Sequence, residues 1–171
     1  MIIALTIKLE AVDLSIRYDG ITALEKINIA IPTGTTTALI GPTGSGKSSL
    51  LRAFCRMNEL WRQAETQGQV LLDCRDIYDP KADVTDIRRR ISLIARRPVP
   101  FPLSIFDNVA YGPRIHGIKE KTQLAEIVKR SLKQASLWDK LKGRLEQRAI
   151  ELSPGEKQQL CIARALAVKP E

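Results

Sequence analysis

The run from Gly41 to Ser48 constrains this chain more than any other stretch. It reads Gly-Pro-Thr-Gly-Ser-Gly-Lys-Ser, which matches the G-x-x-x-x-G-K-S pattern of a phosphate-binding loop, the P-loop. Residues 35–40 before it are β-prone and largely apolar, and residues 48–54 after it place apolar side chains at helical spacing. A glycine turn without a ligand is the alternative, but residue types, spacing and both flanks agree with the P-loop.

The chemistry of phosphate binding explains the residue types in this run. Gly41, Gly44 and Gly46 permit backbone angles that are barred to other residues, and they let amides approach phosphate oxygens. Those amides, with the helix N-terminus behind them, form a partly positive nest. We expect Lys47 to reach the β- and γ-phosphates of a nucleotide and Ser48 to place its hydroxyl on Mg²⁺.

Length and composition indicate one globular domain. The chain has 171 residues, of which 44% are hydrophobic and 27% charged. Its apolar start, residues 1–5, lacks a basic leader and is cut short by Lys8 and Glu10, so we expect neither a secretory signal nor a membrane span. The three cysteines are odd in number and far apart, which predicts reduced cytosolic thiols rather than a zinc site or disulfides.

The net charge of +8 would suit nucleic acid, an anionic membrane surface or polyphosphate. Lys and Arg are scattered along the chain, and the tightest group is Arg88–Arg90 with Arg96 and Arg97. A solvated face is the preferred interpretation of that group. We therefore expect no nucleic-acid partner.

Hydrophobic periodicity and turn residues predict the order of elements. A further helix is indicated at Ser153-Pro154-Gly155-Glu156, where a serine N-cap, a proline at the first helical position and a glutamate three residues on form a capping box. His116 is expected in a loop and is assigned no chemistry. The predicted strands are residues 5–17, 24–31, 35–40, 69–73 and 91–95, and the predicted helices are 48–58, 84–90, 119–136 and 154–169.

Several blocks together resemble the ATP-binding subunit of an ABC transporter, and within that family the subunit of the phosphate importer. The likeness covers essentially the whole chain, and the block 98–114 is the part that suggests phosphate import. The resemblance implies an α/β P-loop NTPase fold, an ABC-type nucleotide-binding domain with an N-terminal antiparallel β portion and a helical insertion at about 97–155. The blocks that carry the resemblance are 50–52, 56–58, 76–80, 98–114 and 160–167.

The resemblance also implies roles for individual residues. Ser48 would hold Mg²⁺, and Tyr18 falls where family members stack an aromatic ring on adenine, although a plain core position is the alternative. Residues 152–156, here called the signature segment, would face ATP held by a second copy, so that a homodimer sandwiches two nucleotides. Loop 96–118 would meet membrane-spanning subunits, which places the chain at the cytoplasmic face of the membrane. The implied nucleotide-binding residues are Tyr18, Gly41, Pro42, Thr43, Gly44, Ser45, Gly46, Lys47, Ser48 and Ser49, and the signature segment is Leu152, Ser153, Pro154, Gly155 and Glu156.

Two departures from the family pattern weaken the expected catalysis. Arg96 stands where such subunits carry a glutamine that helps to hold Mg²⁺, and a cation cannot ligate a metal ion. Pro154 and Glu156 alter the usual L-S-G-G-Q signature: the proline lacks an N–H, and the glutamate adds negative charge beside a polyanion. We expect the helix cap to form and the phosphate contact to be impaired.

A third departure is the end of the chain at Lys169-Pro170-Glu171. Family members continue there into an apolar strand ending in Asp-Glu, followed later by a histidine, so no catalytic residue is expected within this chain and about a third of the family domain is absent. That strand would lie beside residues 35–40. We therefore expect residues 1–171 alone to be aggregation-prone or molten, with Leu39, Ile40, Leu93 and Ile94 poorly packed.

Two functions remain open at this point. The first is an ATPase subunit that couples ATP hydrolysis to phosphate import, and the second is a module that binds ATP without efficient turnover. An unrelated P-loop kinase or nucleic-acid ATPase does not account for the blocks 98–114 and 160–167.

Overall fold

Antiparallel strands build most of the first half of the chain. The computed structural model describes residues 6–171, which divide into two units, Met1–Ile91 and Ser92–Glu171. In the first unit four antiparallel strands form one sheet in the order β2-β1-β3-β4. The strands are β1 (Ile7–Tyr18), β2 (Ile21–Pro32), β3 (Ala64–Leu72) and β4 (Arg75–Asp76).

The turn between β1 and β2 follows from its two residues. Asp19 and Gly20 both have positive φ, 50° and 77°, as a two-residue hairpin turn that matches the strand twist requires. Leu14 and Ile16, two residues apart on β1, are fully buried. The predicted hairpin is therefore confirmed, with residue 5 of the predicted first strand outside the described residues.

Two helices pack beside this sheet. Helix α1 (Lys47–Phe54) begins at the P-loop, and helix α2 (Val84–Arg90) is capped by Asp83, whose carboxylate accepts from the amides of Thr85 and Asp86. The first predicted helix ends at Phe54 rather than near Asn58, where a short 3₁₀ turn (Asn58–Leu60) lies instead. The core of this unit is made by Ala11, Leu14, Ile16, Leu24, Leu50, Ala53, Phe54, Val70, Leu72, Ile77 and Ile87.

The strands predicted at 35–40 and 91–95 are wrong. Neither segment forms a strand or belongs to the sheet of the described residues. A strand exists only when a neighbour completes its hydrogen-bond ladder, and composition cannot supply that neighbour. Ile40 is 93% exposed, Leu93 39% and Ile94 41%, which agrees with the expected poor packing, whereas Leu39 is half-buried against the core.

The second unit is helical. Helix α4 confirms the amphipathic helix predicted at 119–136, and α6 confirms the helix predicted after Ser153. Fifteen buried residues, with Ile105, Leu132, Leu141 and Leu160 among the most enclosed, form its core. None of the helices in residues 6–171 is long and apolar enough to cross a membrane. The helices are α3 (Ile105–Ile115), α4 (Lys121–Gln134), α5 (Trp138–Leu141) and α6 (Pro154–Ala167).

Helix α3 (Ile105–Ile115) lies within residues 96–118, where the sequence analysis expects one loop. The loop ends at Ser104, whose hydroxyl accepts from the amide of Asp107 and caps the helix. Serine followed three residues later by aspartate is an ordinary N-cap pattern. Three prolines before Ser104 and Pro113 inside the helix are residues that usually interrupt a helix.

Candidate functional site

The P-loop folds around the ammonium group of Lys47. Its Nζ donates to the carbonyls of Gly41 at 2.8 Å and Pro42 at 2.6 Å and to the Ser45 hydroxyl at 2.9 Å. Three acceptors for three ammonium protons hold this cation at the mouth of the loop. The predicted residues from Gly41 to Ser49 therefore form one continuous turn and helix start centred on a fixed positive charge.

Helix α1 begins without a side-chain cap. Its N-cap residue is Gly46, with φ 83°, and the first turn contains no acidic residue. A Cβ at Gly46 would lie 2.6 Å from the Ala23 carbonyl oxygen and 2.5 Å from Leu24 Cδ2, so only glycine fits. The amides of the first helical turn have no intrahelical acceptor. Together with the helix dipole they favour an anion at this position.

Ser48 suits a magnesium ion held mainly by phosphate oxygens. It is exposed in the first turn of α1, one residue after Lys47. No group of three or more acidic, histidine or cysteine side chains that could hold a metal occurs in residues 6–171. A single hydroxyl ligand fits Mg²⁺, which keeps waters and phosphate oxygens as its other ligands.

Tyr18 sits at the end of β1 and packs against the core of the first unit. Its ring meets Trp61 edge-on at 6.1 Å, and its hydroxyl is buried without a hydrogen-bond partner among the described residues. The Arg52 guanidinium lies 4.8 Å from the Trp61 ring centre. Trp61 and Arg52 were not predicted beside Tyr18, and no local spacing links them to it.

A cavity of about 400 Å³ adjoins the P-loop. Its walls are mainly aliphatic, from Leu24, Ile27, Ile29, Leu39 and Leu50, and the loop forms only part of its border. Apolar walls do not match a polyphosphate, which needs hydrogen-bond donors. The amides of the loop and of α1, rather than this cavity, are therefore the surface suited to phosphate.

The signature segment lies in the second unit and forms the predicted capping box. The Ser153 hydroxyl accepts from the Glu156 amide, and the Glu156 carboxylate accepts from the Ser153 amide at 3.0 Å and the Ser153 hydroxyl at 2.8 Å. Arg144 Nη2 donates to the same carboxylate at 2.9 Å. These bonds, with that of the Ser153 hydroxyl largest, hold the pKa of Glu156 below its usual value.

The proline loop before α3 is fixed by two polar residues of the second unit. Asn108 is fully buried, accepts from the Phe101 amide at 2.8 Å and donates to the Ser104 carbonyl at 2.9 Å. The Arg164 guanidinium lies 4.2 Å from the Phe101 ring centre and donates to the Val99 carbonyl. Arg96, two residues before this loop, is exposed.

Comparison with known proteins identifies the family of this chain and its fold. The sequence pattern of the family described as ABC transporter matches residues 24–171. The fold is similar to that of cbiO1 from Clostridium perfringens, part of the ABC transporter complex cbiONQ, with a TM-score of 0.78, 25% identity, and coverage of 96% of this chain and 63% of cbiO1. This chain thus spans less than two thirds of that protein.

A second similar structure is a bacterial Atm1-family ABC exporter with ATP bound. The TM-score is 0.76 at 24% identity, over 99% of this chain and 29% of the exporter chain. At that identity the likeness concerns the fold alone. With the family match over most of the sequence and the P-loop at the start of α1, the chain belongs to the ABC transporter family and has the fold of part of its ATP-binding domain.

Proposed function

We propose that this chain is an ATP-binding subunit that couples ATP hydrolysis to phosphate import through an ABC transporter. The observation that carries the proposal is the open start of α1, where Lys47 is held by three acceptors and no side chain caps the helix. Uncapped amides beside a fixed cation are complementary to a triphosphate.

ATP and Mg²⁺ are the proposed ligands. The phosphates would lie over the amides from Gly41 to Ser49, with Lys47 at the β- and γ-phosphates and Ser48 on the metal ion. Tyr18 is proposed to stack on adenine. The Tyr18 and Trp61 rings meet in a T-shaped contact at 6.1 Å, and the proposed stacking uses a face of the Tyr18 ring.

The proposed partners are membrane-spanning transporter subunits and a second copy of this chain. The chain would act as a single domain, with its helical subdomain at about 97–155, at the cytoplasmic face of the membrane. Phosphate as the cargo is supported by the resemblance of the block 98–114 to phosphate importers. Uptake of labelled phosphate by vesicles that contain the membrane subunits and this chain tests the cargo directly.

A module that binds ATP without efficient turnover is the second candidate. Arg96 replaces a metal-supporting amide, and Pro154 and Glu156 alter the signature segment. Loss of one preorganised donor to developing charge typically lowers the rate by about 10²–10³. Phosphate release at about 1 s⁻¹ or faster, an ordinary enzymatic turnover, would favour the first candidate.

Binding of a fluorescent ATP analogue tests the part that both candidates share. Lys47→Ala should abolish binding, because it removes the cation held in the P-loop. Lys119→Ala is the matched control, since Lys119 is an exposed loop lysine, and it should bind like the unaltered chain. Unchanged affinity in Lys47→Ala would contradict nucleotide binding at this loop.

A further inference from the structure

A small polar cavity of about 170 Å³ is lined by residues of β1, β2 and β3 in the first unit. Two of these residues, Ser15 and Arg17, alternate along β1 with the fully buried Leu14 and Ile16. Because successive side chains of a strand point to opposite faces, Ser15 and Arg17 lie on the face of the sheet that is turned away from the core. None of the lining residues belongs to the P-loop or to the signature segment.

Four charged side chains line this cavity, two of each sign. Arg17 on β1 stands directly opposite Glu65 on β3 in the strand register. The other two, Glu25 and Lys26, are neighbours on β2. Directly opposite residues have Cβ atoms about 4.5–5.5 Å apart, close enough for an ion pair. Within residues 6–171, however, none of the four side chains takes part in an ion pair. The cavity therefore keeps two cations and two carboxylates unpaired.

An irregularity that crosses all three strands borders this cavity. The register of β1 shifts against both β2 and β3 between residues 11 and 16, and Asp13 and Lys26 have left-handed φ values of 47° and 46°. On β3, Gly68 comes so close to Asp13 that a Cβ would lie 2.4 Å from its carbonyl oxygen. The Lys26 amide donates to the Ser15 hydroxyl at 2.9 Å. Such bulges re-aim side chains, and left-handed residues other than glycine persist only where their surroundings hold them.

We propose that this cavity binds a small zwitterion, a free α-amino acid with its carboxylate on Arg17 and its ammonium group on Glu65. Arg17 Nε donates to the Thr22 hydroxyl at 3.3 Å, which leaves the two Nη groups to bind a carboxylate. A lining with two charges of each sign favours a ligand that carries both signs over a simple anion or cation. The volume of about 170 Å³ lies below the roughly 300 Å³ of the smallest drug-sized sites, so the ligand has few atoms. The inference does not depend on ATP binding.

Probes with one or both charges distinguish this site from a solvated charged surface. L-serine carries both charges, acetate only the carboxylate and ethylammonium only the cation. Arg17→Gln should weaken L-serine binding at least about tenfold, as expected for the loss of hydrogen bonds from a charged group. Glu65→Gln should also weaken L-serine binding, and it should let acetate bind because the lining then has an excess of positive charge. Glu10→Gln, on β1 outside the cavity, is the matched control and should bind L-serine like the unaltered chain.

NMR titration of the ¹⁵N-glycine-labelled full chain measures this binding, at low ionic strength because salt screens exposed charges. Gly68 is the reporter, since it follows Gln67 of the cavity lining. Residues 67–68 are the one Gln–Gly pair in the sequence, so ¹³C-carbonyl labelling of glutamine identifies the Gly68 signal. With probes up to about 10 mM, tenfold above a millimolar dissociation constant, the Gly68 amide should shift with L-serine and stay unmoved with acetate or ethylammonium. Unchanged signals of the other glycines verify that each variant is folded.

Three results would overturn the proposal. The first is a Gly68 amide that stays unmoved with L-serine up to that concentration. The second is an equal Gly68 shift with acetate or ethylammonium in the unaltered chain, which would indicate a charged surface without preference for a zwitterion. The third is a folded Arg17→Gln variant that binds L-serine as tightly as Glu10→Gln does. Gly46 reports the P-loop in the same spectra and should not respond to L-serine, so the result is separate from nucleotide binding.

Discussion

Helices α1 and α6 begin in opposite ways, although the family resemblance places a nucleotide at the start of each. Helix α1 has a left-handed glycine as its N-cap, no side-chain cap and no acidic residue in its first turn. Helix α6 has a serine N-cap, a proline at its first position and a glutamate that completes the capping box and binds Arg144.

The difference shows that the free amides at a helix start can either be capped by side chains or be left open to a ligand. Every helix start carries about four N–H groups without intrahelical partners. At α6 the Glu156 amide donates to the Ser153 hydroxyl and the Ser153 amide donates to the Glu156 carboxylate, and a serine cap stabilises a helix by about 1 kcal/mol. At α1 the chain leaves them open and fixes Lys47 beside them. The open start is suited to binding an anion, and the closed start to helix stability.

Replacing the glycine at each helix start should give the largest difference in stability between the two starts. Gly46→Ala places a Cβ 2.6 Å from a backbone carbonyl at φ 83°, so it should lower the unfolding free energy by at least about 2 kcal/mol through strain and overpacking. Gly155→Ala meets nothing within 4 Å and should be nearly neutral. Urea unfolding measures both; a stability of Gly46→Ala equal to that of Gly155→Ala would contradict the close packing described.

Removal of a serine hydroxyl should also affect the starts of α6 and α1 differently, with a smaller difference in stability. Ser153→Ala deletes the cap of α6 and should cost about 0.5–2 kcal/mol of stability. Ser49→Ala, in the uncapped first turn of α1, is the matched control and should change stability by less than about 0.5 kcal/mol. Thermal unfolding of both variants checks this, and equal losses would mean that Ser153 is not a functional cap.

Lowering the pH should destabilise the start of α6, where Glu156 is charged, more than the start of α1. The pKa of Glu156 is lowered in the folded chain, chiefly by the Ser153 hydroxyl, so its contribution to stability is present above the unfolded pKa of about 4.3 and is lost as pH falls through the folded value. Unfolding free energy should therefore fall more steeply between about pH 5 and pH 3 in the unaltered chain than in Glu156→Gln. If the unfolding free energies of the two proteins changed with pH in parallel, the hydrogen bonds of Glu156 would contribute nothing to stability.

The sequence predicts a structural feature correctly where the residues that form the feature are close together in the chain. The P-loop from Gly41 to Ser48 and the capping box from Ser153 to Glu156 are each a fixed pattern of residues with short spacing, and both form helix starts as expected. The missed features depend on distant partners. Arg144 meets Glu156 from the segment 142–153, which connects α5 to α6, and segment 35–40 pairs with none of the strands in residues 6–171, although its composition is β-prone.

Hydrogen–deuterium exchange with and without Mg-ATP tests the contrast between the two helix starts most directly. An open α1 start predicts that the amides of residues 43–49 exchange more slowly when Mg-ATP is bound. A closed α6 start predicts that the amides of residues 155–157 exchange at the same rate in both states. Protection of residues 155–157 comparable to that of the P-loop, or none at residues 43–49, would contradict the account.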